Sequence, residues 1–182
     1  MPHRLERWAR GLDTIVEASG RIASWTGLAL VLVMAANVII RYVFRTGSVA
    51  MQELEWHLMA PLSLLCIAYA IKHEGHVQVD ILYGRLPRRV QEAIGLFSAI
   101  MAVALCIILV RLSWPYVMQS YRIGEGSPDP GGLPHRWILK ALIPAAFVLL
   151  GIQSLAATFR ALIPFTGGPH RDVPSTVTIN AP

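Results

Sequence analysis

The fold of this chain is decided by residues 22–40, IASWTGLALVLVMAANVII, which contain no Asp, Glu, Lys or Arg. A helix needs about 20 predominantly apolar residues to cross about 30 Å of hydrocarbon. Three further windows lack these four residue types, namely 56–71, 93–110 and 141–159. The sequence therefore predicts an all-α integral membrane protein with four transmembrane helices.

The overall composition supports a membrane protein and excludes several other classes. Hydrophobic residues make up 54% of the chain, a larger fraction than the core of a soluble protein requires. Charged residues make up only 15%. The net charge is +5, but the basic residues flank the apolar windows and form no basic face, which excludes nucleic acid. Cys66 and Cys106 lie inside apolar windows without a second ligand nearby, so we expect no disulfide, metal or cofactor.

The distribution of Lys and Arg predicts how the chain is oriented. Basic residues are concentrated before the first window and between the second and third, whereas the other two connections carry fewer of them. Such clusters favour the cytoplasmic side of a membrane. We therefore expect both termini in the cytoplasm.

One membrane domain is predicted over residues 1–166, with spans at about 22–44, 53–72, 91–118 and 137–160. Residues 4–20 place Leu5, Trp8, Leu12 and Ile15 on one helical face, which predicts a separate amphipathic helix at the membrane interface, bound to lipid. Residues 167–182 are rich in Pro, Thr and Gly, which predicts a disordered cytoplasmic tail.

Polar residues at the first loop form one group of candidates. Asn37 and Arg41 share a helix face at the end of the first span, and Glu53, Glu55 and Trp56 open the second. Arg41 could pair with either glutamate across the short loop, with Trp56 as an interfacial anchor. The alternative is that these residues dock onto a partner subunit.

A second group follows the second span, where His76 and Asp80 lie in the stretch HEGHVQVDIL, residues 73–82. Two histidines and an aspartate suggest a metal, but a structural site needs a fourth ligand and fixed geometry. We expect these side chains to satisfy backbone and partner groups instead.

The third group lies in and after the last loop, GEGSPDPGGLP, residues 124–134, whose Pro and Gly content predicts fixed turns. Such a loop can present charge to another protein, or it can merely cap the bundle with Glu125 paired to Arg111 or Arg122. The candidates are Glu125, Ser127, Asp129, Pro134, Trp137 and Lys140.

Taken in order, these motifs resemble the small permease subunit of tripartite ATP-independent periplasmic (TRAP) transporters, the DctQ type. The resemblance rests on Glu53, Glu55 and Trp56, on His76 to Asp80, and on Glu125-x-Ser-Pro through Lys140. It implies a non-enzymatic subunit in a bacterial inner membrane. The implied complex is a sodium-driven importer of an organic acid or related small solute.

The resemblance also implies two protein partners: a large permease subunit, which this chain would brace, and a periplasmic substrate-binding protein, which it would help to dock. A different class remains open, a haem-b-binding or structural anchor of a respiratory complex. Haem would need paired axial histidines on facing spans. By sequence, only His57 lies within a predicted span.

Overall fold

The computed structural model describes residues 2–73 and 86–163. Within them the chain forms four helices, α1 (Pro2–Val43), α2 (Val49–Lys72), α3 (Arg88–Arg122) and α4 (Trp137–Leu162). Each is long and apolar enough to cross a membrane, and no strand occurs in these two ranges. The predicted all-α membrane fold with four spanning helices is therefore confirmed.

The helix α1 is longer than the sequence predicted, because it joins the expected interfacial helix and the first span without a break. Its 42 residues correspond to about 63 Å at 1.5 Å per residue, roughly twice the hydrocarbon thickness. Ala9 and Val16 of its N-terminal half are buried, at 1% and 0% exposure. The N-terminal half thus packs on the other helices as a continuation of the span.

The other three helices are arranged around α4, which contacts each of them. The helix α1 also packs along α2, whereas α3 packs mainly against α4. Small residues allow the closest approaches: Gly20 faces the ring of Tyr69, and Gly151 faces Cys106. Close packing through small residues is typical of helices in membranes.

Large and small side chains are distributed oppositely to those of a water-soluble protein. The buried positions hold mostly small residues such as Ala68, Ala146 and Ala156. Large apolar side chains point outward instead, for example Phe97 at 65% and Leu112 at 69% exposure. An exposed apolar surface of this extent requires a lipid or protein environment.

Polar side chains meet between helices at the two ends of the bundle. We call the end that carries the 123–136 loop the loop end, and the other the N-terminal end. Along α1, Glu17 and Asn37 mark these ends, and along α4, Arg160 and Lys140 mark them. Either pair is separated by about 30 Å at 1.5 Å per residue, which matches the thickness of the hydrocarbon layer.

Candidate functional site

Glu53, in the second turn of α2, fastens the 123–136 loop to the bundle. Its carboxylate accepts hydrogen bonds from the Ser127 hydroxyl and from the backbone N–H of Leu133, the latter at 2.5 Å. The N-cap Ser48 sets the start of this helix by accepting a bond from the Met51 N–H. One side chain therefore fixes two points of a loop that lies some 75 residues further along the chain.

The loop is also closed on itself by backbone hydrogen bonds. Ser127 N–H donates to the Leu133 carbonyl at 3.1 Å, and Arg136 N–H donates to the Glu125 carbonyl at 2.9 Å. Gly132 lies so close to Glu53 that an added Cβ would be 2.7 Å from a carboxylate oxygen. His135 adopts a left-handed backbone conformation, with φ of 66°. The loop therefore has a defined shape, as its Pro and Gly content predicted.

Asn37, and not Arg41, is the partner of Glu55. The amide Nδ2 of Asn37 donates to Oε1 of Glu55 at 2.8 Å, and Asn37 is buried at 9% exposure. Arg41 is exposed and pairs with neither Glu53 nor Glu55. Of the two alternatives, the loop-closing pair between Arg41 and a glutamate is therefore not the one observed, because Glu55 accepts from Asn37 and Glu53 accepts from the loop.

Lys140, in the first turn of α4, holds the other side of the loop. Its ammonium lies 2.5 Å from the Glu125 carboxylate and 4.1 Å from the centroid of the Tyr116 ring. The hydrogen bond from Lys140 lowers the pKa of the Glu125 carboxyl. Glu125 is therefore paired with Lys140. The capping alternative had paired it with Arg111 or Arg122 instead.

An exposed surface combines loop residues with the start of α2. Trp56 is 67% exposed, and Asp129 at the loop tip is exposed without an ion-pair partner among the described residues. Together with Arg136 they line an open depression of about 220 Å³. Pro134 is exposed nearby, whereas Trp137 is partly covered by an edge-on contact with Tyr121 at 5.3 Å. We call Trp56, Asp129, Pro134 and Arg136 the loop-end surface.

The structure thus brings most of the candidates together at the loop end, where Asn37, Glu53, Glu55, Trp56, Glu125, Ser127, Asp129, Pro134, Trp137 and Lys140 gather. His76 and Asp80 lie outside the described residues. In residues 2–73 and 86–163, no three His, Cys, Asp or Glu side chains are placed to hold a metal ion.

Sequence reasoning missed an ionic cluster at the N-terminal end. Glu17 contacts Lys72 at 2.6 Å and His73 at 3.1 Å, which joins α1 to the end of α2. Asp13 forms an ion pair with Arg160, which joins α1 to the end of α4. The sequence pattern that could have predicted this cluster is the spacing of Asp13 and Glu17, which lie one helical turn apart on the same helix face. The predicted topology also puts them on the same side of the membrane as Lys72 and Arg160.

These features define a class: a multi-pass membrane protein whose described residues form four membrane-spanning helices, with a loop held in place at one end. Residues 30–163 match the family described as tripartite ATP-independent periplasmic transporters, DctQ component. This match spans more than half of the chain, so the chain belongs to the DctQ family. Members are permease subunits of transporters and not enzymes, and nothing in the match supports a respiratory anchor.

Individual relatives agree with this assignment. The chain is 28% identical to the C4-dicarboxylate TRAP transporter small permease protein DctQ of Pseudomonas aeruginosa, over 61% of this chain and 56% of the relative. It is 25% identical to the ectoine TRAP transporter small permease protein TeaB of Halomonas elongata, over 83% and 78%. The match thus spans little more than half the length of the Pseudomonas relative.

A third relative is a much longer protein. The chain is 23% identical to the sialic acid TRAP transporter permease protein SiaT of Haemophilus influenzae, over 71% of this chain but only 21% of the relative. A region similar to this chain is therefore joined in SiaT to a far larger remainder of the same polypeptide.

Proposed function

We propose that this chain is the small membrane subunit of a sodium-driven tripartite importer of an organic acid or related small solute. The observation that carries the proposal is the match of residues 30–163 to the DctQ component. The relatives are named for C4-dicarboxylates, ectoine and sialic acid. These names favour small organic solutes as a class.

The chain's role in the complex is that of a scaffold. It binds the large permease subunit and braces it, while the large subunit carries the substrate and sodium sites. Among the described residues, few ionisable groups lie between the two ends of the bundle, and at the ends Glu17, Glu125 and Asp13 pair with Lys72, Lys140 and Arg160. Intramembrane charges usually mark ion and substrate pathways, so their scarcity here supports a bracing role.

The loop-end surface helps to dock the periplasmic substrate-binding protein. The Lys and Arg distribution supports N- and C-termini in the cytoplasm and the loop end in the periplasm of a bacterial inner membrane. Glu53 and Lys140 hold the loop in one shape, so little conformational entropy is lost when a partner binds. Asp129 supplies an exposed charge that can steer a basic patch.

The docking role is tested by Asp129→Lys in the reconstituted three-part transporter. We expect the two membrane subunits to co-purify as before, while the binding-protein concentration for half-maximal uptake rises. The rise should depend on salt, since exposed charges are screened over about 8 to 10 Å at physiological ionic strength. Glu6→Lys, an exposed carboxylate at the N-terminal end, is the matched control and should change nothing.

Two outcomes contradict the docking role. Uptake by Asp129→Lys that equals wild type at every binding-protein concentration removes Asp129 from the interface. Dissociation of the two membrane subunits by the same substitution assigns Asp129 to the scaffold instead.

A further inference from the structure

A second cavity lies at the loop end, beside the depression that the loop-end surface lines. It has a volume of about 300 Å³ and shares Arg136 and Leu139 with that depression. Charged residues line one end of it and apolar residues the other, because Arg136 and Lys140 precede Ile143 along the chain. The cavity therefore suits a ligand that is charged at one end and apolar at the other. We call it the Arg136 cavity, and its lining residues are Tyr116, Glu125, Arg136, Leu139, Lys140 and Ile143.

Arg136 gives this cavity one uncompensated positive charge. Lys140 and Glu125 pair with each other at 2.5 Å, whereas the guanidinium of Arg136 forms no ion pair with a residue in 2–73 or 86–163. On its other side, Arg136 borders the depression that holds the carboxylates of Glu53 and Asp129, which would repel an anion. A negatively charged group therefore fits Arg136 from the side of the cavity.

The depth of Arg136 matches the phosphate layer of a membrane. Lys140 marks the loop end of the hydrocarbon layer, and Arg136 lies about 6 Å beyond it at 1.5 Å per residue, since its backbone is still helical, with φ of −55° and ψ of −20°. The headgroups add about 5 to 8 Å on each side of the hydrocarbon. An arginine at this depth meets lipid phosphates, which its planar guanidinium can bind through two parallel hydrogen bonds.

The apolar end of the cavity continues into the membrane. Ile143 lies about 4.5 Å from Lys140 along α4, inside the hydrocarbon layer. Tyr116 of α3, which also lines the cavity, is 48% exposed, and Leu112, one turn deeper on the same helix, is 69% exposed. An acyl chain can therefore lie against these three side chains while its headgroup reaches Arg136.

We propose that the Arg136 cavity binds one anionic phospholipid, such as phosphatidylglycerol, through a hydrogen-bonded ion pair between the lipid phosphate and the Arg136 guanidinium. A zwitterionic lipid is a weaker ligand, because its cationic group would lie beside Arg136 and Lys140. The site requires only that the loop end lies in a phospholipid leaflet. It is therefore independent of the orientation of the chain and of the transported solute.

Native mass spectrometry of the full chain released from detergent tests the proposal. Lipid is titrated, and the fraction of protein that carries one lipid gives the dissociation constant. We expect wild type to bind phosphatidylglycerol more tightly than phosphatidylcholine with the same acyl chains. Arg136→Gln should weaken the binding of phosphatidylglycerol by roughly tenfold, the effect of losing one charge-assisted hydrogen-bonding group, and should remove the preference over phosphatidylcholine.

Arg122→Gln is the matched control. Arg122 is exposed at the same end of the bundle but outside the cavity, and its replacement changes the net charge by the same amount. It should leave the dissociation constant for phosphatidylglycerol unchanged. Ile143→Trp fills the apolar end of the cavity with Arg136 intact, so it should also weaken binding, and it serves as the test if Arg136→Gln does not fold.

Several results would overturn the lipid site. Equal binding of phosphatidylglycerol by wild type and Arg136→Gln removes Arg136 from it, and an equal loss in Arg122→Gln reduces the effect to general surface charge. Displacement of the lipid by inorganic phosphate at millimolar concentration would indicate a site for a free anion. Binding that depends on Arg136 should persist when the chain is purified with the large permease subunit, and its loss there would assign the cavity to a protein side chain instead.

Discussion

At the residue scale, the contacts of Glu53 explain why the last loop has a fixed position. Its two carboxylate oxygens accept from Ser127 and from the Leu133 N–H. The sequence indicated that Glu53 and Ser127 both matter, but it could not pair them, because they are 74 residues apart. Spacing rules connect residues within one helix and give no information about which helix end meets which loop.

Removal of the Glu53 carboxylate should loosen the loop without unfolding the bundle. In Glu53→Ala the Leu133 N–H loses its acceptor, so we expect its amide hydrogen exchange to accelerate by roughly tenfold. Asp129→Ala is the control, since that carboxylate has no partner among the described residues. Equal amide exchange at Leu133 in Glu53→Ala and wild type would show that the hydrogen bonds of Glu53 do not hold the loop in place.

Gln153 shows a limit of residue-level reasoning within the membrane. A lone polar residue in an apolar span predicts a hydrogen bond between helices. The structure buries Gln153 at 3% exposure, but its Oε1 has no partner in the described part of the chain. The sequence pattern could predict that Gln153 is buried. It could not predict a hydrogen-bond partner, because that depends on how the neighbouring helices are rotated.

At the element scale, the four spans followed from the charge-free windows, whereas the continuity of α1 did not. The sequence pattern of residues 4–20 is amphipathic, and such a pattern fits a helix lying on a membrane as well as one packed on protein. In this structure the segment packs on protein, held there by the ion pairs Asp13–Arg160 and Glu17–Lys72. These pairs join three helices and are invisible to any single-helix pattern.

Replacing either of two glycines in α1 by alanine should change the stability of the protein, but in opposite directions. A Cβ at Gly20 would lie 2.6 Å from Cγ and 2.8 Å from Cβ of Tyr69, so Gly20→Ala must push α1 away from α2. We expect a destabilisation on the order of 1–3 kcal/mol. Gly11 faces open space, so Gly11→Ala should stabilise the helix by about 0.5–1 kcal/mol.

Thermal unfolding of the purified protein in one detergent would measure both changes. The pair is matched, because both glycines are in the same helix and gain the same methyl group. A lower melting temperature for Gly20→Ala together with an unchanged or higher one for Gly11→Ala is the expected result. Equal shifts for the two variants would contradict the close approach of α1 and α2 at Tyr69.

At the scale of the whole molecule, the orientation that we propose from the Lys and Arg distribution can be tested directly. In a background with Cys66 and Cys106 replaced by Ala, a membrane-impermeant thiol reagent is added from the periplasm. We expect it to label Asp129→Cys at the loop end and to miss Arg10→Cys until the membrane is broken. The reverse pattern would invert the chain and place the loop-end surface in the cytoplasm.

The whole-molecule class was accessible from sequence because lipid imposes a simple rule on composition and length. The order of motifs along the chain then indicated the family, which the match over residues 30–163 confirms. Helix packing around α4 was not accessible in this way. Every span is apolar on most sides, so periodicity does not reveal which face of each helix is buried.

The central claim is that this chain is an indispensable subunit without transport activity of its own, and reconstitution tests it most directly. The large subunit and the binding protein are placed in liposomes with an inward sodium gradient, with and without this chain, and the chain is also tested alone. We predict sodium-dependent uptake only when all three proteins are present. Equal uptake without this chain, or uptake by this chain alone, would contradict the account.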